Sequence, residues 1–481
     1  MAVSETAPPG GIRTSRAEQR RVLAATLVGT TVEWYDFFIY AFVAAMLFGE
    51  LFFKPLGEGM GDAAATLVSF ATIGLSFLFR PLGAFLAGHF GDKIGRKPVL
   101  ILTLILMGLA TACIGLLPTG ELAAVSAVLL ICLRILQGIS AGGEWGGAIL
   151  MAVETAPLGS RNRAGAWPQL GVPFGMLLAT TMLTILQNAL GKEAFAEWGW
   201  RIAFLFSIVL IVIGYAVRRM VEESPVFKQI AETARKESAP IPVVFRKHWL
   251  IVVLAALVFA GDNAVGYMLV GGVVSKYASA PLDKGGLVGM EPGTVSLLLN
   301  LAAVVWAICT YLGAWIADKT SSKRTFVIGY VLMAIVSPML FPLVILAGHG
   351  EGGTGQPIFF VLATCLLALP LGLCYGPLSA WYAEVFPASV RFSGVSITYA
   401  IGAIIGGAFA PLIVQAIFES TGNQWHWAAV YLAGMSIVGL VGSILLRDRK
   451  NIPLGLDMEH SGQWESWKTG DPVPEGVNPI H

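Results

Sequence analysis

Charge is scarce in this chain. Asp, Glu, Lys and Arg make up 13% of its 481 residues, against 56% hydrophobic. A soluble chain carries about 25% charged residues, so the shortage excludes a soluble globular fold and implies an integral membrane protein. An excess of one sign is also missing. The formal net charge is +1, which offers no bulk attraction to nucleic acid. Cysteine is sparse: Cys113, Cys132, Cys309, Cys365 and Cys374 all sit in apolar runs, without metal-ligand spacing or a disulfide context. No nucleophile, metal cluster or cofactor motif gathers at a membrane edge, so neither an enzyme nor a cofactor is expected. A cleavable signal peptide is missing too. The first 21 residues are polar, with Arg13, Arg16, Arg20 and Arg21, and the first apolar run is too long for one.

Long apolar runs are abundant. A bilayer crossing needs roughly 20 apolar residues. Runs at about 22–48, 63–88, 98–117, 121–150, 164–190, 199–219, 248–276, 292–317, 325–347, 357–383, 392–418 and 427–446 give spans 1 to 12. The runs are continuous and do not alternate, which argues against a β-barrel. An even number of spans leaves both termini on one side. Basic residues cluster in the tails and in the turns on that side: Lys93, Arg96, Lys97, Arg161, Arg163, Lys319, Lys323, Arg324 and Arg391. The opposite turns hold only Lys54, Lys192, Arg201, Lys276 and Lys284. The positive-inside rule then places both termini in the cytoplasm. The expected organisation is a tail (1–21), a six-helix bundle (22–219), a central loop (220–247), a second six-helix bundle (248–446) and a C-terminal tail (447–481). Val226, Phe227 and Ile230 suit a short amphipathic helix in the central loop. The C-terminal tail, with Pro, Gly and charge, reads as mobile.

The halves repeat at a shift of 226–230 residues. "AGHFGDKIGRK" after span 2 matches "GAWIADKTSSK" after span 8, aligning Asp92 with Asp318 and Lys97 with Lys323. "ETAPLGSRNRAG" after span 4 matches "EVFPASVRFSG" after span 10, aligning Glu154 with Glu384 and Arg161 with Arg391. "WGW" at Trp198 matches "WHW" at Trp425. The fold class is therefore all-α and integral to the membrane: twelve transmembrane helices in two pseudo-symmetric bundles of six, the plan of carriers that rock about a central site.

Six ionisable residues fall inside spans: Glu33, Asp36, Arg80, Arg134, Glu144 and Asp262. Each would cost roughly 2.5–3.5 kcal/mol facing lipid at a helix centre, so they must face a cavity or one another. Glu33 and Asp36, in "TVEWYDFFIY" beside Tyr35, share a helix face, and the repeat places Asp262 of span 7 opposite Glu33. Four carboxylates against two arginines implies that one or two hold a proton near neutral pH. These three are the candidates for proton coupling, and a static network tying helices together is the competing reading. In "RILQGISAGGEWGGA" of span 4, Arg134, Gln137 and Trp145 share a face, and Arg134 can pair with a solute carboxylate or with Asp36. The glycines permit close helix packing. Arg80 reads as structural and Glu144 as a gate or proton exit. Asn300, Trp306, Tyr375, Trp381 and Tyr399 are the polar and aromatic candidates of the second half, and Pro370 and Pro377 should bend span 10.

The turn "GHFGDKIGRKP" brings Asp92 beside Arg96 and Lys97, and its second copy at Asp318 favours a gate over a merely topogenic loop. "GDKIGRK" resembles the signature turn of the major facilitator superfamily. "VEWYDF", "FLFRPLGAFLAGHFGDKIGRK", "RILQGISAGGEWGGA", "WGWRIAFLFSI" and "EESPVF" together resemble its metabolite:proton symporter family, most closely the shikimate-permease branch. The resemblance covers nearly the whole chain. The second turn departs from the pattern, with Ser321 and Ser322 where Gly95 and Arg96 stand, which implies a weaker gate there.

The resemblance implies a carrier that takes up a small organic solute with protons by alternating access. Relatives carry dicarboxylates, tricarboxylates, shikimate-like acids and betaines. On this reading Asp36, Glu33 and Asp262 couple protons. Arg134, Gln137, Tyr35, Trp145 and Tyr375 bind solute. Asp92, Arg96, Lys97, Glu144, Glu154, Asp318 and Glu384 gate. The partners are the solute, protons and the lipid bilayer, with no nucleic acid, in a monomer of the bacterial cytoplasmic membrane. An uncoupled facilitator or exchanger of the same fold is the alternative.

Overall fold

The computed structural model describes residues 16–56, 62–94, 96–219, 240–270, 272–280, 286–348, 356–475 and 477. Among these no strand occurs, and eleven helical stretches are long and apolar enough to cross a bilayer. One of them, 161–219, runs for 59 residues. At about 1.5 Å per residue it far exceeds a hydrocarbon core of about 30 Å. It turns back at Gly191, whose φ of 79° suits glycine alone, and so crosses twice. The described helices thus supply twelve crossings. The central-loop segment around Val226, Phe227 and Ile230 lies outside the described residues.

Local chemistry sets where helices start and break. Pro292 and Pro357 open spans 8 and 10, where a missing N–H costs nothing. Ser321 caps span 9 by accepting from the Arg324 amide at 3.2 Å. Pro81 has no N–H to give, so span 2 breaks at Phe79 into Asp62–Leu78 and Arg80–Ile94. Span 4 breaks at Gly143 into Ala123–Gly142 and Glu144–Glu154. Span 10 breaks at Gly376–Pro377, as its prolines predict, into Pro357–Tyr375 and Leu378–Val385.

The packing repeats with the sequence. Span 1 packs on spans 5 and 6 as span 7 packs on spans 11 and 12. Span 2 packs on span 4 as span 8 packs on span 10, and span 3 on span 6 as span 9 on span 12. The two sets meet where span 5 lies along span 8 and span 2 along span 11, a pair that a two-fold axis interchanges. Glycines set the closest approaches. A Cβ on Gly142 of span 4 would stand 2.0 Å from the Arg80 carbonyl oxygen of span 2, and one on Gly376 of span 10 the same 2.0 Å from the Thr310 oxygen of span 8. Span 1 is buried throughout 32–44, whereas Leu116, Val128, Val212 and Ile335 present apolar side chains outward, as lipid requires.

The C-terminal tail corrects an expectation. It is docked, not mobile. Ile452, Leu454, Met458, Trp464 and Trp467 are buried, and a short helix covers Leu456–His460. The apolar residues are too dispersed to form a run, yet each is buried at the face where span 1 begins and span 12 ends.

Candidate functional site

Two clusters of buried charge stand out, one at mid-membrane and one at the terminal face. The central one begins on span 1, where Glu33 is 3% and Asp36 1% exposed. The two carboxylates have different neighbours. Asp36 accepts from the Ser207 hydroxyl at 2.5 Å, while its Oδ2 has no hydrogen-bond partner. Glu33 lies within electrostatic reach of Glu144, Arg80, Arg218 and Asp36, and its Oε2 is likewise unpartnered. Tyr35, between them, donates to the Ala203 carbonyl at 2.8 Å. Asp262 stands apart in the other half. Its amide donates to the Tyr330 hydroxyl at 2.9 Å, but its Oδ1 has no partner.

Arg134 does not pair with Asp36. Its Nη1 donates to Gln137 Oε1 at 2.6 Å, its Nη2 to Ser76 Oγ at 3.0 Å and its Nε to the Thr72 carbonyl at 3.3 Å. The guanidinium rests on the Tyr40 ring, 3.7 Å from its centroid. Gln137 donates onward to Thr111 at 2.7 Å. Each polar group of this arginine is occupied, and the set joins spans 1, 2, 3 and 4. The physical reason is proximity: Ser76 and Gln137 lie along the arginine's own groove, whereas Asp36 faces Gly108 and Ser207. Trp145 follows the break at Gly143. It donates to Gln169 Oε1 at 3.0 Å and stacks on Tyr399 at 3.7 Å. Glu144 pairs with Arg218 at the end of span 6.

Arg80 joins the two halves. It lies among aromatic residues from both halves, with its guanidinium 4.2 Å from the Phe77 centroid and 5.8 Å from that of Trp34. Phe77 meets Tyr267 edge-on at 5.5 Å, and the hydroxyl of Tyr399 is hydrogen-bonded with Arg80 and Tyr375. Tyr375 lies 6.1 Å from Trp306, and Asn300 pairs with Thr180 across spans 8 and 5. Trp381 turns away and donates to the Arg447 carbonyl at 3.0 Å.

The terminal-face cluster is reciprocal. Arg161 lies 3.6 Å from Glu384, and Arg391 lies 3.6 Å from Glu154, so each half lends its arginine to the other's glutamate. The tail completes both pairs. Arg161 donates to the Ile452 carbonyl at 2.5 Å, Arg391 to the Leu454 carbonyl at 2.7 Å, and the Asn451 amide donates to Glu384 at 3.0 Å. Asp318 accepts from the amides of Asn162 and Arg163 at 3.0 and 3.2 Å, capping the start of span 5, and from Arg163 Nε at 2.8 Å. Ser322 donates to Asn162 Oδ1 at 3.0 Å, so the serines that replace the glycine and arginine of the first turn add a bond between halves of their own. The side chains of Asp92, Arg96 and Lys97 lie outside the described residues.

Comparison with known proteins accords with this geometry. Residues 22–241 match the family model described as Sugar (and other) transporter, and residues 263–469 match that of the Major Facilitator Superfamily. The inner membrane metabolite transport protein YhjE of Escherichia coli is 36% identical over 90% of this chain and 95% of its own. The Escherichia coli shikimate transporter is 33% identical over 93% and 98%. A putative proline/betaine transporter of Staphylococcus haemolyticus is 31% identical over 88% and 86%. Among solved structures, the proton:xylose symporter XylE bound to 6-bromo-6-deoxy-D-glucose superposes with a TM-score of 0.73 at 16% identity, over 94% of this chain and all of that one. A twelve-span chain with a repeated half, crossed ion pairs and relatives of this likeness belongs to the major facilitator superfamily. It is a multi-pass membrane transporter and not an enzyme.

Proposed function

We propose that this transporter takes up a small organic metabolite together with protons, by alternating access, across a bacterial cytoplasmic membrane with both termini inside. The observation that carries the reading is the unpartnered carboxylate oxygen on each of Glu33, Asp36 and Asp262, all 5% exposed or less. A buried carboxylate lacking full hydrogen bonding is costly when ionised, and taking up a proton relieves the cost. Proton affinity then depends on whether the site is open to water, which is the requirement for coupling. Asp36 is the proposed coupling group, with Glu33 and Asp262 tuning it. Arg134, Gln137 and Tyr35 wall the central site, and Trp145 and Tyr375 line it from either half. The crossed pairs of Glu154 and Glu384, with Asp318, Glu144 and the first-half turn of Asp92, Arg96 and Lys97, act as gates. The names of the relatives, a shikimate transporter and a proline/betaine transporter, support a polar organic solute with a carboxylate.

Uptake into proteoliposomes tests the proposal. Shikimate, citrate and glycine betaine are offered with and without an inward proton gradient. The expected result is accumulation of at least one solute that collapses with a protonophore. Equal accumulation without any gradient or counter-solute would sink the symport reading, and equilibration without accumulation would leave a facilitator.

A further inference from the structure

We infer that Arg80, rather than Arg134, is the anchor for the carboxylate of the transported solute, and that the site takes organic acids in preference to quaternary ammonium compounds. This rests on the transport reading above and names its substrate class.

The two arginines differ in what they have left to offer. Arg134 is filled by Gln137, Ser76 and the Thr72 carbonyl. Arg80 is 4% exposed, forms no ion pair within 4.0 Å among the described residues, and its Nε has no hydrogen-bond partner. A guanidinium held in a low-dielectric site with a donor unspent is prepared for a planar anion, which it grips with parallel hydrogen bonds. The surrounding polar groups are also unspent. Trp34 Nε1, Tyr267 OH and Asn263 Nδ2 are buried without partners. Trp34 shares the Arg80 layer, and Tyr267 packs edge-on against Phe77, beneath the guanidinium. Asn263 lies one turn from Tyr267 on span 7, and both approach Gly407 of span 11. Buried polar groups are ordinarily satisfied. A group of orphaned donors around an arginine, drawn from both halves, has the partners of a carboxylate that also bears hydroxyls.

The same geometry disfavours a quaternary ammonium. Such cations bind on aromatic faces. Here the face of Phe77 is covered by the protein's own cation at 4.2 Å, and Trp34 is 5.8 Å from it. An incoming ammonium would meet like charge where the aromatic surface lies. Tyr399, hydrogen-bonded with Arg80, is sandwiched between Trp145 at 3.7 Å and Phe259 at 4.2 Å, so its ring faces are also taken.

The test is binding to the purified full-length protein in nanodiscs, independent of any proton gradient. Shikimate, its methyl ester, citrate and glycine betaine are titrated against the unmutated protein, Arg80→Gln, Arg80→Lys and Arg134→Gln. In the unmutated protein shikimate should bind roughly ten- to a hundredfold more tightly than its ester. Arg80→Gln should abolish that ratio by weakening the acid alone, whereas Arg134→Gln, which loosens the wall of the site, should weaken acid and ester alike and so leave their ratio unchanged. If Arg80→Gln does not purify as a single folded species, Arg80→Lys, which keeps the charge and loses the fork, should still shrink the ratio. An unchanged acid-to-ester ratio in the Arg80 variant overturns the inference. So does tighter binding of betaine than of either acid, or failure of both acids to bind. Loss of proton-driven uptake with the acid-to-ester ratio intact would instead count against symport and leave the anchor standing.

Discussion

The two halves are near copies at the terminal face and unlike at mid-membrane. At the face, Glu154–Arg391 mirrors Glu384–Arg161 at the same 3.6 Å, and each arginine reaches a carbonyl of the tail. At mid-membrane the first half buries Glu33, Asp36, Arg80, Arg134 and Glu144, whereas the second buries Asp262 among tyrosines. Under the proposed alternating access, symmetry is retained where the halves part and meet. It is abandoned where one chemistry suffices. A rocking mechanism needs matched latches, while a single charged site can serve both orientations because the halves turn around it.

The largest expected effect breaks the mid-membrane asymmetry. Asp36→Asn should abolish proton-driven accumulation in proteoliposomes while solute exchange continues, and Asp262→Asn should reduce accumulation without eliminating it. Equal loss in both would show that the halves share the coupling. The face symmetry is probed next by thermal unfolding of Arg161→Ala and Arg391→Ala. Each removes the arginine from a buried glutamate, at about 3–5 kcal/mol, and the two should lose similar stability. Pairing Arg161→Ala with Glu384→Gln should cost less than the sum of the single changes. Smaller effects come from the matched helix contacts. Gly142→Ala and Gly376→Ala place a Cβ 2.0 Å from a carbonyl oxygen, at about 1–3 kcal/mol each. Gly142→Ala should also weaken acid binding because the displaced carbonyl belongs to Arg80, whereas Gly376→Ala should spare it. The smallest change is Lys192→Ala. Its partner Glu291 lies at 2.8 Å, but the two side chains are 64% and 60% exposed, so the loss of stability should be below about 1 kcal/mol.

The spans were legible because hydrocarbon thickness imposes a length that composition cannot hide. Span 10 broke at Pro377 for an equally local reason, while Pro370 sits inside an unbroken helix. The reciprocal pairing was within reach of the sequence: aligning Glu154 with Glu384 and Arg161 with Arg391 and adding a two-fold axis exchanges the partners. The partners of Arg134 were not legible, because Ser76, Gln137 and a backbone carbonyl compete with a carboxylate on equal terms when they lie closer. The aromatic neighbours of Arg80 were not legible either, because position along a span does not say which face a residue takes after a proline break. The docking of the tail escaped notice because its key acceptors, the carbonyls of Ile452 and Leu454, belong to the backbone and carry no residue signature.

That docking has a consequence for how the molecule is made. A chain is synthesised from its N-terminus, so residues 452 and 454 leave the ribosome after every span has been produced. The pairs at this face therefore receive these hydrogen-bond acceptors only after the last span has been made. Until then Arg161 and Arg391 have their glutamates but not the carbonyls that seal the face. A nascent chain stopped between the end of span 12 and residue 452 would carry all of its described spans and neither of these carbonyls.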